Sequence, residues 1–246
     1  MNKGIIFFKR EKSCFKGGFC VINKELSYLE KEISMLHPNE YAYYNTLRYD
    51  KRKTSYLLGK ITAKGAISEI LITQQTAHSI LIQNGVFQFP VVKNIKEQNI
   101  QVSISHCDSY GVALAFPEEH PLGIDIEKIS EDKIDVIKSY LCDKEISKLD
   151  SYSLTTAMGS TLMWTVKEGL SKILKTGLMI DFKVLEIETL EKIGTTYISS
   201  FKNFSQYKAI SCHIEEYICS IVLPKNSFTD LSEFWHTLRE QIKIVT

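Results

Sequence analysis

The chain has 246 residues, 44% of them apolar and 24% charged, the composition of an ordinary soluble globular protein rather than a disordered or fibrous one. Its 30 basic residues nearly cancel 29 acidic ones, leaving a net charge of +1, which argues against wholesale nucleic-acid binding and confines any anion site to a local cluster. The length suits one large domain or two of roughly 100–130 residues.

In chain order, a strand-like run at 3–9 is broken by Lys9 and Arg10, too early for the apolar stretch of a secretory signal or a membrane span. No membrane segment is expected elsewhere. Helical periodicity appears at 26–34, 40–47 and 52–73, then strands at 100–106, 110–116 and 122–128. Helices follow at 131–149, opening after Ser130-Glu131-Asp132 as a cap, and at 155–175, stopping at Gly177. Further strands are expected at 183–188, 207–213 and 217–223. Prolines and charges in Phe116-Pro117-Glu118-Glu119-His120-Pro121 mark a junction. The six cysteines form neither a Cys-x-x-Cys pair nor zinc-ligand spacing, so reduced thiols in a cytoplasmic protein are expected.

A weak internal repeat supports a division at the junction. Ser105-His106 with Tyr110 and an apolar strand recurs 107 residues on (105 to 212, 106 to 213, 110 to 217) as Cys212-His213 with Tyr217. The same spacing sets Lys60 over Lys167. The expected architecture is α+β: two similar subdomains, 1–120 and 121–246, related by a pseudo-twofold axis. Each would be a small, mainly antiparallel sheet packed with a long helix, with the site at the seam. A chain already holding two halves is expected to be a monomer.

The chemistry concentrates in three carboxylates. In Gly123-Ile124-Asp125-Ile126-Glu127 the acids alternate with isoleucines, so on a strand Asp125 and Glu127 share one side, about 6–7 Å apart. Two poor strand formers set that close repel unless a cation stands between them; the plain alternative is a solvated strand face. Glu168 lies on a helical segment with Trp164 and Lys172 at i−4 and i+4, one face carrying an aromatic wall, an acid and an ammonium. Alone, Glu168 and Lys172 would be an ordinary surface pair. Together the three acids suit a hard cation such as Mg²⁺, leaving Lys172 for a phosphate. His106, after Ser105 at a strand end, is either a hydrogen-bonded structural residue or part of a phosphate grip with the turn amides. Arg48, Lys51, Arg52, Lys53, Lys60 and Lys64 form the one marked basic run, a solvated face or the seat of a phosphomonoester. No glycine-rich dinucleotide or P-loop motif occurs.

The order Ser103-Ile104-Ser105-His106, Gly123-Ile124-Asp125-Ile126-Glu127-Lys128, then Trp164-Thr165-Val166-Lys167-Glu168-Gly169-Leu170-Ser171-Lys172 resembles the Sfp-type 4′-phosphopantetheinyl transferases over roughly residues 45–180. The resemblance implies Mg²⁺-dependent transfer of the phosphopantetheine arm of coenzyme A to a serine of an acyl or peptidyl carrier protein, releasing adenosine 3′,5′-bisphosphate. It implies Asp125, Glu127 and Glu168 as metal ligands, and Lys172, Ser105 and His106 as contacts to coenzyme A phosphates. Arg52 and Lys53 fall near the family's basic contact, and Glu145 matches a family glutamate. Glu168 is the first candidate for the base, with Glu127 and Glu145 as alternatives. Val86 stands in the Gly85–Pro90 stretch where the family has a lysine, and Cys107 replaces a serine. The segment 133–149, with Ile137 and Leu141, is the candidate carrier surface. A metal-dependent phosphoesterase and a non-catalytic coenzyme A-binding module are the rival readings.

Overall fold

The computed structural model describes residues 1–95, 99–149 and 154–243. The chain packs as two compact units, Met1–Pro121 with Ser227–Thr246, and Leu122–Asn226. The first opens with a hairpin of β1 (Asn2–Arg10) and β2 (Ser13–Asn23), then α1 (Leu26–Leu29) and α2 (Pro38–Tyr44). The long α3 (Asp50–Ile70), the small hairpin β3 (Leu81–Asn84) and β4 (Pro90–Lys93), and the hairpin β5 (Ile100–Cys107) and β6 (Tyr110–Pro117) follow. The second unit holds β7 (Gly123–Lys128), α4 (Ile134–Ser139), α5 (Asp143–Leu149) and α6 (Thr156–Leu174). Its remaining strands are β8 (Ile187–Ile193), β9 (Thr196–Phe201), β10 (Tyr207–Ile214) and β11 (Tyr217–Pro224). The chain then returns to the first unit with β12 (Phe228–Thr229) and α7 (Ser232–Lys243).

Each unit is a five-stranded sheet, in the order β12-β1-β2-β6-β5 and β7-β11-β10-β9-β8, and every recorded pairing is antiparallel. In the first, α3 packs across β2, β5 and β6, and α7 packs against β1 and β2. Residues 227–243, expected with the second subdomain, therefore belong with the first sheet: β12 pairs with β1, and Phe234 of α7 meets Phe19 edge-on. In the second, α6 lies on β7 and β11. Glycine sets that contact, because a β-carbon at Gly123 would stand 1.9 Å from the Gly169 carbonyl oxygen.

The hairpins β5–β6 and β10–β11 keep the 107-residue spacing at every boundary, 100–107 against 207–214 and 110–117 against 217–224. The helices do not. In the first unit the fully buried Lys64 pairs with Glu40 (2.7 Å) and donates to the carbonyls of Met35, Ala77 and Ile80. Glu40 in turn accepts the amides of His37 and Ile82. In the second, buried Lys167 pairs with Glu145 (2.7 Å) and donates to the carbonyls of Tyr140 and Phe182, while Glu145 accepts the amides of Cys142 and Ile187. The counterpart of Lys167 is thus Lys64, one helical turn beyond the expected Lys60, whose amine reaches the Ile82 carbonyl instead.

Other expectations need correcting. The segment 131–149 is a single turn at Glu131–Lys133 followed by two short helices, and the Ser130 side chain makes no capping bond. Residues 182–185 form a 3₁₀ turn rather than a strand, because the Asp181 carboxylate captures the Lys183 amide; the strand begins at Ile187. The helix α6 ends at Leu174 with Lys175 left-handed (φ 56°), before Gly177. The strands β2, β3, β4, β9 and β12 and the helix α7 lie outside the expected elements. In β2, Gly18 admits α3: a β-carbon there would lie 2.2 Å from the Ala66 carbonyl oxygen.

Candidate active site

The strand β7 is the edge of the second sheet, paired only with β11. Since Gly123 faces α6, alternation turns Asp125 and Glu127 to the same helix-bearing side. The acids and α6 therefore meet without a long loop. Asp125 is 4% exposed, and its Oδ1 accepts from the Lys172 ammonium at 2.8 Å; the same ammonium donates to the Ile124 carbonyl at 2.7 Å. Glu127 is half-buried and takes a 2.8 Å ion pair from Lys133. That lysine, from the turn after β7, is not among the residues the sequence singles out.

Glu168 sits one turn before Lys172 on α6. Burial raises its carboxyl to about 7; Asp125 and Glu127 push the same way and Lys172 opposes them. Glu127 is also raised, first by burial, then by Asp125, against the bond from Lys133. The three acids thus share one electrostatic neighbourhood with Lys172, as the sequence suggested. Among the described residues, no group of three or more His, Cys, Asp or Glu side chains is gathered closely enough, as they lie, to hold a metal ion. The donor set nonetheless suits a hard divalent cation: all oxygen, with an excess of negative charge felt at Glu168.

The remaining predicted residues meet different outcomes. Arg52, exposed, and Lys53, half-buried over the Tyr44 ring, stand on the first turn of α3. Ser105 is buried and His106 exposed at the end of β5; all four belong to the first unit. Glu145 is removed as a candidate base, because it is 1% exposed and both its oxygens are engaged by Lys167 and two backbone amides. Ile137 and Leu141 are core residues, whereas Val136 and Tyr140 are exposed at 61% and 36%. Trp164 packs against Tyr140 and Phe182, both with ring centroids 5.2 Å away, rather than forming an open wall.

The first unit also holds a cleft of about 410 Å³ lined by Asn39, Tyr43, Tyr56, Lys60, Gln83 and Asn84. Its ammonium lies 5.3 Å from the Tyr56 ring, and burial lowers its proton affinity. No described helix is long and apolar enough to cross a membrane, and all six cysteines are free thiols.

A family profile described as the 4′-phosphopantetheinyl transferase superfamily matches residues 121–222, nearly the span of the second unit. The chain is 25% identical over 197 residues to the 4′-phosphopantetheinyl transferase gsp of Aneurinibacillus migulanus, covering 75% of this chain and 80% of that one. It is 33% identical over 103 residues to a holo-[acyl-carrier-protein] synthase of Mycoplasma mycoides subsp. mycoides, covering 41% of this chain and 92% of the relative. A solved holo-(acyl-carrier-protein) synthase from Bacillus anthracis, in complex with CoA (3′,5′-ADP), aligns with 46% of this chain and 97% of its own at 24% identity, with a TM-score of 0.36.

Proposed function

The chain belongs to the 4′-phosphopantetheinyl transferase superfamily, and on that premise we propose that it moves the 4′-phosphopantetheine arm of coenzyme A onto a serine of an acyl or peptidyl carrier protein. The observation that carries the proposal is the gathering of Asp125, Glu127, Glu168 and Lys172 between β7 and α6.

The serine oxygen forms a bond to the phosphorus on the pantetheine side of the pyrophosphate. The bond from that phosphorus to the bridging oxygen breaks, and adenosine 3′,5′-bisphosphate leaves with the electron pair. Asp125, Glu127 and Glu168 would hold Mg²⁺, which when bound supplies charge neutralisation to the pyrophosphate. Lys172 is held over β7 by Asp125 and the Ile124 carbonyl, so its ammonium is oriented before a phosphate arrives, and it would bear on the charge of the departing group. Glu168, one turn before Lys172 on α6, is the base for the serine proton, directly or through a metal-bound water. Glu127 is the weaker choice because Lys133 already bonds it.

Ser105, His106, Arg52 and Lys53 are assigned to the coenzyme A phosphates on their chemistry as donors and cations. The carrier is assigned to the surface of α4, on its exposed Val136 and the following Tyr140. We place the protein as a monomer in the cytoplasm, on its two sheet-and-helix units within one chain and its free thiols.

The test is incubation with coenzyme A, MgCl₂ and a panel of apo carrier proteins, read by intact mass. A gain of one phosphopantetheine arm, abolished by chelation, is the expected result. Carriers left unmodified throughout would overturn it, and coenzyme A cleaved without them would point to a phosphoesterase.

A further inference from the structure

Lys167 stands beside Glu168 in the sequence but takes no part in the acid cluster. Its ammonium is fully buried and gathers three groups: Glu145 at 2.7 Å, the Phe182 carbonyl at 2.9 Å and the Tyr140 carbonyl at 3.2 Å. Glu145 extends the junction to the Cys142 and Ile187 amides, each at 2.8 Å. One ion pair in the middle of α6 thus ties the turn between α4 and α5, the 3₁₀ turn at Phe182–Leu185 and the start of β8 to a single point on the helix.

Elsewhere α6 is held by apolar packing of Leu162, Val166 and Leu170, by the buried Thr165–Ser220 hydrogen bond to β11 at 2.7 Å and by the Lys172 bonds to β7. Where it crosses β7 the contact is glycine on glycine, Gly123 under Gly169, which sets the separation closely, and Lys167 adds charged ties from the helix to the two turns and, through Glu145, to β8. Oxygen donors and an ammonium must be held within a fraction of an ångström to act on a phosphate. An ion pair with fixed hydrogen-bond directions supplies what an apolar contact lacks.

We propose that Lys167, through Glu145, is a positioning residue: it fixes the register of α6 and thereby the placement of Glu168 and Lys172 against Asp125. This rests on the transfer reading of the site and adds a residue to it that touches no substrate. The first unit has the same device, Lys64 with Glu40, but there the next residue is Gly65 rather than an acid. The arrangement is therefore a general fastening of helix to sheet that the second unit turns to placing a reactive face.

The test separates placement from stability. Variants are made in a Trp235→Phe background so that Trp164, which packs on Tyr140 and Phe182, is the sole tryptophan emitter. Lys167→Met strands the buried Glu145, whereas Glu145→Gln/Lys167→Met removes both charges and keeps an acceptor for an amide. The double variant is expected to recover most of the lost Tm, yet to show kcat at least tenfold below wild type, a KM for coenzyme A within threefold, and a red-shifted Trp164 emission. Should Lys167→Met fail to fold, the double variant and Glu145→Gln carry the same comparison. Wild-type protein that transfers nothing defeats the functional reading. Wild-type protein that transfers, with a folded double variant whose kcat stays within twofold and whose emission is unmoved, defeats the positioning role alone.

Discussion

Lys172 donates to Asp125 Oδ1 at 2.8 Å and to the Ile124 carbonyl at 2.7 Å, so the lysine of the helix is bonded to the very strand that carries two of the acids. This bond makes the cluster one object rather than four neighbours. It also explains how an acid only 4% exposed is tolerated at a sheet edge.

The base role proposed for Glu168 gives the first prediction. Glu168→Gln keeps the size and hydrogen-bonding of the side chain but takes no proton. Transfer should fall about 10²–10⁴-fold while the circular dichroism spectrum and Tm are kept or improved. Turnover within threefold of wild type would remove Glu168 from that role.

The second concerns pH in the metal-free protein. Glu168 titrates at about 7 in the fold, against about 4.3 when unfolded. A raised carboxyl favours the folded state most at low pH, and that contribution disappears as pH rises from about 4.3 through about 7. Thermal melts without metal should therefore show wild-type Tm falling relative to Glu168→Gln between pH 5 and pH 7.5, in buffers of matched ionic strength. Parallel curves would contradict it.

His120 has the opposite sign. It lies fully buried between Phe8 and Phe15, with ring centroids at 4.8 and 4.9 Å, and neither ring nitrogen has a partner among the described residues. Burial, with Arg10 adding to it, lowers its pKa to about 4. The ring is neutral in the fold, so its contribution is complete above about pH 6.5 and is lost as pH falls toward 4. His120→Phe should remove that part of the acid sensitivity, seen as a shallower loss of Tm between pH 6.5 and pH 4. An unchanged acid limb would show that His120 does not control it.

The two glycine contacts of α3 and α6 predict contrasting stabilities. Gly59 has ordinary clearance, its nearest neighbour being an Ile104 methyl at 3.7 Å, so Gly59→Ala should stabilise by up to about 1 kcal/mol through helix propensity. Gly123→Ala would place a methyl 1.9 Å from a backbone oxygen and should destabilise by about 3 kcal/mol or more. Denaturant titration of both variants reads the difference directly.

Much of the site was legible because it depends on local periodicity. The alternation in 123–127 placed both acids on one side, and the i, i+4 spacing of Glu168 and Lys172 held. What escaped the sequence was set by tertiary contact. The strand through Gly17-Gly18 forms where α3 lies on it, and Glu145, an alternative base by the resemblance, is engaged by Lys167 from 22 residues on. Trp164, on the expected face, is drawn onto Tyr140 and Phe182. The 107-residue spacing was visible in the hairpins and holds there, whereas in the helices the buried ion pair that resembles that of Lys167 is made by Lys64 rather than Lys60.

The most direct measurement counts two products of one reaction, holo-carrier by intact mass and adenosine 3′,5′-bisphosphate by chromatography, for wild type and Asp125→Ala. The account predicts equal amounts of the two from wild type and loss of both together in Asp125→Ala. Release of the bisphosphate with no carrier modified, or undiminished transfer by Asp125→Ala, would contradict it.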